Sequence, residues 1–254
     1  LRKQRTPEIL EADLAPLVLE AAVWGVRDRL GLRWLDAPPE PNWKQAVELL
    51  VLLGALDGNG VLTAAGKSMA RTAAHPRLAR MFVAAGEMNK TALACDVAAL
   101  LEERDIFARE RENADLEDRI EALRASRRGV RGVNDAGRVR RVADEWCRRL
   151  GTPPEKGPVR EGEAGELLLF AYPERVAKRR TDGGARYLLA NGAGAMLAGA
   201  QSLAKSEYLV IAQMQVRTGD GKIFLATPVD AAAVRKHFAD RIVRDQALSW
   251  DGSE

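Results

Sequence analysis

Two cysteines and two histidines are all that 254 residues provide. Cys95 and Cys147 have no CxxC or Cys/His companion at metal-ligand spacing, which argues against both a zinc site and a disulfide framework. They read as plain buried thiols of a protein kept in a reducing cytosol. His75 and His237 are too isolated to build a Ser/His/Asp or Cys/His set. Aromatic residues make up 5% of the chain, too few to advertise a stacking platform of several exposed rings. No stretch approaches the roughly 18 apolar residues of a membrane span, and no signal-peptide pattern opens the chain. A cytoplasmic protein with no membrane partner is expected.

What is present describes a folded chain. Hydrophobic residues at 46% and charged residues at 30% suit ordinary globular cores rather than disorder. The formal charge is only +3, but the cations are mostly arginine and are clustered locally. The length suits two or three small domains. The opening run Leu1-Arg2-Lys3-Gln4-Arg5-Thr6-Pro7 reads like the middle of a longer polypeptide.

Periodicity orders the chain. Asp13 is placed to cap a helix carrying Leu14, Leu17, Val18, Ala21 and Trp24 at helical spacing, with Pro16 in its first turn. After Pro38, Pro39 and Pro41, the pair Asn42 and Gln45 forms a candidate capping box for a second helix that Gly54 ends. Ala55-Leu56-Asp57 and Val61-Leu62-Thr63 flank a Gly58-Asn59-Gly60 turn, the pattern of a very short hairpin. Two helices and a small hairpin make a winged helix. Thr63 caps the next helix, and His75-Pro76 opens another.

From about residue 91 to 150 the pattern is helical. It ends in a basic helix with Val139, Val142, Ala143, Trp146 and Leu150 on one side and Arg138, Arg141, Arg148 and Arg149 on the other. Residues 151–165 hold three prolines and four glycines and read as a linker. Beyond them, Val176 to Arg180, Arg186 to Leu189, Tyr208 to Val216 and Lys222 to Leu225 read as short strands of a small OB-like barrel. The expected fold class is α+β multidomain: a winged-helix domain over 1–72, a helical bundle over 73–150, a linker over 151–165, an OB-like domain over 166–230, and the start of a further region over 231–254.

Phosphate-loop readings fail on spacing. In Gly66-Lys67-Ser68 the GxxxxGK[ST] pattern needs glycine at 61, where Val61 stands. Gly192-Ala193-Gly194 lacks the third glycine and the βαβ setting of a dinucleotide fold, and fits a turn beside a strand. The acids between Glu102 and Glu121 are interleaved with arginines, as on a solvated helix face.

Basic residues carry the functional reading. Arg127, Arg128 and Arg131, near Gly129 and Gly132, could follow a phosphate backbone; the competing reading is a solvated helix end. Arg175, Lys178, Arg179, Arg180 and Arg186 lie on or beside the first two strands of the barrel, a surface such barrels offer to oligonucleotides. Asn191, at a turn, is a candidate sugar or base contact, with local capping as the alternative. No catalytic and no metal-ligating residue is identified.

Several segments resemble a known family. Leu35-Asp36-Ala37-Pro38-Pro39 followed by Leu53-Gly54-Ala55-Leu56-Asp57, then Leu62-Thr63-Ala64-Ala65-Gly66-Lys67 and His75-Pro76-Arg77-Leu78, resemble the helicase-associated region of DEAH-box RNA helicases. Ala171-Tyr172-Pro173-Glu174-Arg175-Val176-Ala177 and Tyr187-Leu188-Leu189-Ala190-Asn191-Gly192-Ala193-Gly194-Ala195 resemble the bacterial HrpB-type branch. The resemblance implies a winged helix, a ratchet-like bundle and an OB-like domain, serving as the accessory half of an ATP-dependent RNA helicase. It implies that ATP and Mg belong to RecA-like domains of the same polypeptide, upstream of Leu1, and that this half needs no cofactor and is inactive alone. The implied partner is single-stranded RNA, or DNA, gripped by bundle and barrel cations that converge on one groove. Two other readings remain: a winged-helix DNA-binding module, and a protein-interaction scaffold. Against the first, the helix after Asn42 carries Lys44 as its only cation.

Overall fold

The computed structural model describes residues 6–107, 113–130, 136–181, 184–199, 201–216 and 219–242. Among them, no helix is long and apolar enough to cross a membrane.

Helices α1 (Ala15–Val23), α2 (Glu40–Leu52) and α3 (Ala64–Ala70) form the first unit. Their core gathers Leu14, Val18, Trp43, Leu50 and Met69. Asp13 accepts the Ala15 N–H at 2.8 Å, so it caps α1 as its position suggests. The expected Asn42–Gln45 capping box does not form. α2 begins three residues earlier, with Pro39 in place of Asn42 at the cap position, because Pro41 lacks the N–H that a first turn leaves unpaired anyway. Gly54 ends α2 at φ +71, and the hairpin reduces to a single bridge between Leu56 and Leu62. The Thr63 hydroxyl accepts the Gly66 N–H at 2.9 Å and caps α3. A Cβ on Gly66 would stand 2.2 Å from the Ala55 carbonyl oxygen. Gly66 therefore lets α3 seat against the turn after α2, which accounts for the glycine beside Lys67-Ser68 without any phosphate.

The second unit packs α4 (Pro76–Glu87), α5 (Thr91–Glu102), α6 (Leu116–Arg127) and α7 (Ala136–Arg149). His75 caps α4 through Nδ1, which accepts the Arg77 N–H at 3.3 Å. Apolar faces of all four helices meet in one core containing Leu78, Phe82, Leu93, Val97, Ile120, Leu123, Val139 and Trp146. Cys95 and Cys147 are both buried, and their thiols hydrogen-bond each other. That bond and burial push the Cys95 thiol up. Spacing of 52 residues hid this pairing.

Helix α8 (Glu163–Ala171) starts inside the expected linker, and its apolar residues join the bundle core. Ala164, Leu167, Leu168, Leu169 and Ala171 are buried on nearly every side of a short helix, so it must lie between two cores. Those same residues join the bundle cluster with Val210, Ala212 and Leu225 of the barrel. Contact is close at Gly165, where a Cβ would stand 2.0 Å from the Pro228 carbonyl oxygen.

Strands β1 (Val176–Arg179), β2 (Arg186–Leu189), β3 (Gly194–Leu197), β4 (Tyr208–Gln215) and β5 (Gly221–Pro228) close into a barrel in the order β1-β2-β3-β5-β4. All neighbours are antiparallel except β3 and β5. Residues alternate between inside and outside, with Tyr187, Leu189, Leu197, Leu209, Ile211 and Ile223 filling the interior. β3 is the strand the sequence reading did not delimit; it has four residues and begins at a glycine. Helix α9 (Ala231–Phe238) follows, and His237 and Lys236 on it reach Glu166 of α8 at 2.8 and 3.3 Å. Burial would raise the Glu166 carboxyl, but hydrogen bonds from Lys90 and His237 dominate and hold it at about 2.

Candidate nucleic-acid interface

The two basic clusters proposed from sequence meet opposite fates. Arg127 sits in the last turn of α6 with 4% of its side chain exposed. Its Nη1 donates to Asp96 Oδ1 at 2.7 Å and to the Glu155 carbonyl at 3.0 Å, and its Nη2 reaches Asp144 Oδ1 at 3.1 Å. Arg124, one turn earlier, donates through Nε to Asp96 Oδ2 at 2.9 Å and lies 2.7 Å from Glu155 Oε2. Burial works against the charged guanidinium of Arg127, but Asp96 and Asp144 outweigh it and hold the group above its ordinary range. The expected phosphate contact at Arg127 is thus corrected: this arginine ties α6 to α5, α7 and the connector after α7. Held by two carboxylates and a backbone carbonyl, with 4% of its side chain exposed, this guanidinium does not reach a solvent-borne strand.

Arg128 is partly exposed, but its Nη2 pairs with Glu121 Oε1 at 2.6 Å and its Nη1 donates to the Lys156 carbonyl. Arg131 lies outside the described residues. Between α6 and the barrel runs a cleft of about 330 Å³ lined by Asp115, Glu117, Asp118, Glu121 and Glu161. Burial pushes the Asp115 carboxyl up to about 6 and the Glu117 carboxyl up to about 7. Glu117 Oε1 accepts the Gly162 N–H at 2.8 Å and the Thr227 hydroxyl at 3.5 Å, so it bridges bundle, connector and barrel. These acids are therefore not the freely solvated helix face expected from their spacing. An acidic cleft repels phosphate, so the expected convergence of bundle and barrel cations on one groove is not found along this seam.

The barrel cations divide by strand geometry. Arg175, on the turn before β1, donates through Nη1 to the Ala212 carbonyl at 2.9 Å and stacks 5.0 Å from the Tyr172 ring centre. It lines, with Arg77, Glu174 and Asp13, a cleft of about 540 Å³ shared with the winged helix. Arg179 is exposed and donates to the Ala204 carbonyl at 3.1 Å; its cross-strand partner is the inward Tyr187, so it stands at the end of the barrel. Asn191 Oδ1 accepts the Ala193 N–H at 3.1 Å within the β2–β3 turn, the local capping alternative.

Lys178 and Arg186 face outward, as cross-strand pairing dictates. Lys178 pairs with exposed Leu188, and Arg186 pairs with exposed Met196. Register then carries the row onward: Met196 opposite Lys222, and Lys222 opposite Gln215. Phe224, two residues beyond Lys222, shares its face and is 40% exposed. Arg180 and Arg186 lie 3.8 and 3.6 Å from Asp220, a distance of ion pairing without a short hydrogen bond. Gly194 makes room for that carboxylate, since a Cβ there would stand 1.8 Å from Asp220 Oδ1.

Lys178, Arg186 and Lys222 thus point outward with Leu188, Met196 and Phe224 along the successive strands β1, β2, β3 and β5 of the closed barrel. The sequence reading found the first two and missed the other four. Alternation in Lys222-Ile223-Phe224-Leu225 marks the outward pair, but only the β3–β5 register brings it beside Arg186.

Comparison with known proteins supplies context. The family model described as the helicase associated domain (HA2), winged-helix, matches residues 46–72. The chain is 33% identical over 258 residues to the ATP-dependent RNA helicase HrpB of Escherichia coli, covering 99% of this chain and 29% of that protein. It is 28% identical over 145 residues to the pre-mRNA-splicing factor ATP-dependent RNA helicase prp22 of Schizosaccharomyces pombe, covering 56% of this chain and 12% of that one. The crystal structure of the E. coli DExH-box NTPase HrpB superposes with a TM-score of 0.72 at 33% identity, over 93% of this chain and 27% of that one. A crystal structure of the E. coli DEAH/RHA helicase HrpB gives 0.69 at 31% identity, over 90% and 27%. The chain spans less than a third of the length of each of these relatives.

Proposed function

We propose, from the homology of this chain to the C-terminal region of HrpB-type, DEAH-box RNA helicases, that it is the accessory half of an ATP-dependent RNA helicase and grips single-stranded RNA for a RecA-like motor. The observation that carries this reading is the outer barrel surface on which Lys178, Arg186 and Lys222 stand exposed, with Asp220 the one carboxylate paired with them among the described residues. Cations so placed hold phosphates through charge and do not read sequence. ATP and Mg act in the motor, and this half alone hydrolyses no nucleotide. The units run, in this reading, over 1–72, 73–150 and 166–230, with 151–165 connecting the last two and a further region starting at 231.

α2 speaks against a winged-helix DNA reader. Lys44, its only cation, lies 3.9 Å from Glu48, and Trp43, Ala46 and Leu50 are buried. A binding titration at several salt concentrations tests the proposal with the 254-residue chain, single-stranded RNA and duplex DNA. Each single-strand phosphate contact contributes about 0.7 to the slope of log affinity against log salt. The variant Lys178→Ala/Arg186→Ala/Lys222→Ala should therefore lose about 2 from that slope. Equal slopes for the variant and the parent would remove the barrel face from the function. A preference for duplex DNA would favour the regulator reading, and no binding at all would favour a scaffold.

A further inference from the structure

The outer barrel face holds more than charge. Leu188, Met196 and Phe224 are 46%, 41% and 40% exposed at outward positions of β2, β3 and the first half of β5, where buried and exposed residues alternate. Outward positions of a small barrel are normally polar, so three apolar side chains on neighbouring strands form a patch that asks for a ligand. Its rim is cationic. Lys178 is the cross-strand partner of Leu188, Arg186 of Met196, and Met196 of Lys222. The Lys222 ammonium lies 5.4 Å from the Phe224 ring centre, which puts a phosphate ligand beside the one exposed phenyl ring of the face.

We infer that this patch is a base-binding subsite for a single polynucleotide strand: Phe224 stacks one base, Met196 and Leu188 floor the neighbouring position, and Arg186 and Lys222 hold the phosphates between them. The inference rests on the reading of the chain as a strand-gripping module, and adds to it a contact that charge alone does not supply. Spacing supports it. Adjacent strands lie about 4.8 Å apart, so Arg186 and Lys222, with β3 between them, bracket Met196 across about 10 Å of surface. The occupant suggested by this chemistry is a polyanion with flat apolar faces, which a single-stranded nucleic acid is and an acidic peptide is not. Stacking tolerates any base, because every base presents a π-face. An apolar floor in place of convergent donors and acceptors therefore suits a grip without sequence preference.

The test compares a labelled single-stranded oligoribonucleotide with an abasic strand of equal length and charge, both titrated against the 254-residue chain. Phe224→Ala should weaken binding of the base-bearing strand about tenfold and leave the abasic strand unchanged, whereas Phe224→Trp should restore affinity and show fluorescence quenching on binding. Lys222→Ala should weaken both strands alike and lower the salt slope by about 0.7. Equal affinity of Phe224→Ala and the parent for the base-bearing strand would overturn the subsite while leaving the gripping function intact. Failure of the parent chain to bind either strand would overturn both. Circular dichroism and an unchanged unfolding midpoint confirm that Phe224→Ala is folded.

Discussion

Arg127 in the bundle and Arg186 in the barrel are the same residue type in similarly basic stretches of sequence, yet one is interior cement and the other is exposed surface. What separates them is not their own neighbours in sequence but the carboxylates that the fold brings to them. Asp96, 31 residues before Arg127, is fully buried and accepts from it and from Arg124. Among the described residues, the one carboxylate Arg186 meets is Asp220, at 3.6 Å. A cluster of arginines thus becomes available to phosphate only where tertiary structure leaves it short of acid. The number of cations in a segment says little about that.

Removing each partner in turn should sharpen the contrast. The largest effect is expected from Arg127→Ala, which strands Asp96 in the interior beside Arg124 and should cost about 3–5 kcal/mol in denaturant unfolding. Strand affinity per folded molecule should stay unchanged; a drop in affinity without loss of stability would restore Arg127 to the grip. The next largest concerns Glu117, whose carboxyl is pushed by burial from 4.5 to about 7. Between those values the folded chain keeps a proton that the unfolded chain has released, so stability falls as pH rises through the window and levels off above it. Asp115, pushed to about 6, works in the same direction. Urea midpoints at pH 5 and pH 8 should therefore differ for the parent and lie closer together for Glu117→Gln, with the remaining difference coming from Asp115. A smaller change is expected from Asp220→Asn, which frees Arg180 and Arg186 and should tighten binding of single-stranded RNA about twofold, within the modest worth of exposed ion pairs. The smallest is in the stability of the triple barrel variant, whose unfolding free energy should move by no more than about 0.5 kcal/mol per site because its side chains are exposed.

Much of the order of the fold was legible in sequence, because it rests on local chemistry. The Thr63 cap, the His75-Pro76 start of α4 and the Gly54 stop of α2 are decided within four residues. The packing of α8 on both bundle and barrel was not legible, because a short helix buried nearly all round has no amphipathic stripe to point to one neighbour. The site was less legible than the fold. Lys178 and Arg186 could be found from their strands, but Met196 sits on a strand of four residues, and Lys222 and Phe224 join the face only through the parallel β3–β5 register. Asp96 could not be foreseen as the partner of two arginines, since nothing at short range announces it.

Gly165 gives the seam between bundle and barrel its character. Backbone meets backbone there, with no side chain to flex and not enough space for a single methyl group before α8 presses on the end of β5. Any side chain at 165 would have to push α8 off the end of β5, so the seating of the helices on the barrel depends on this one residue having no Cβ.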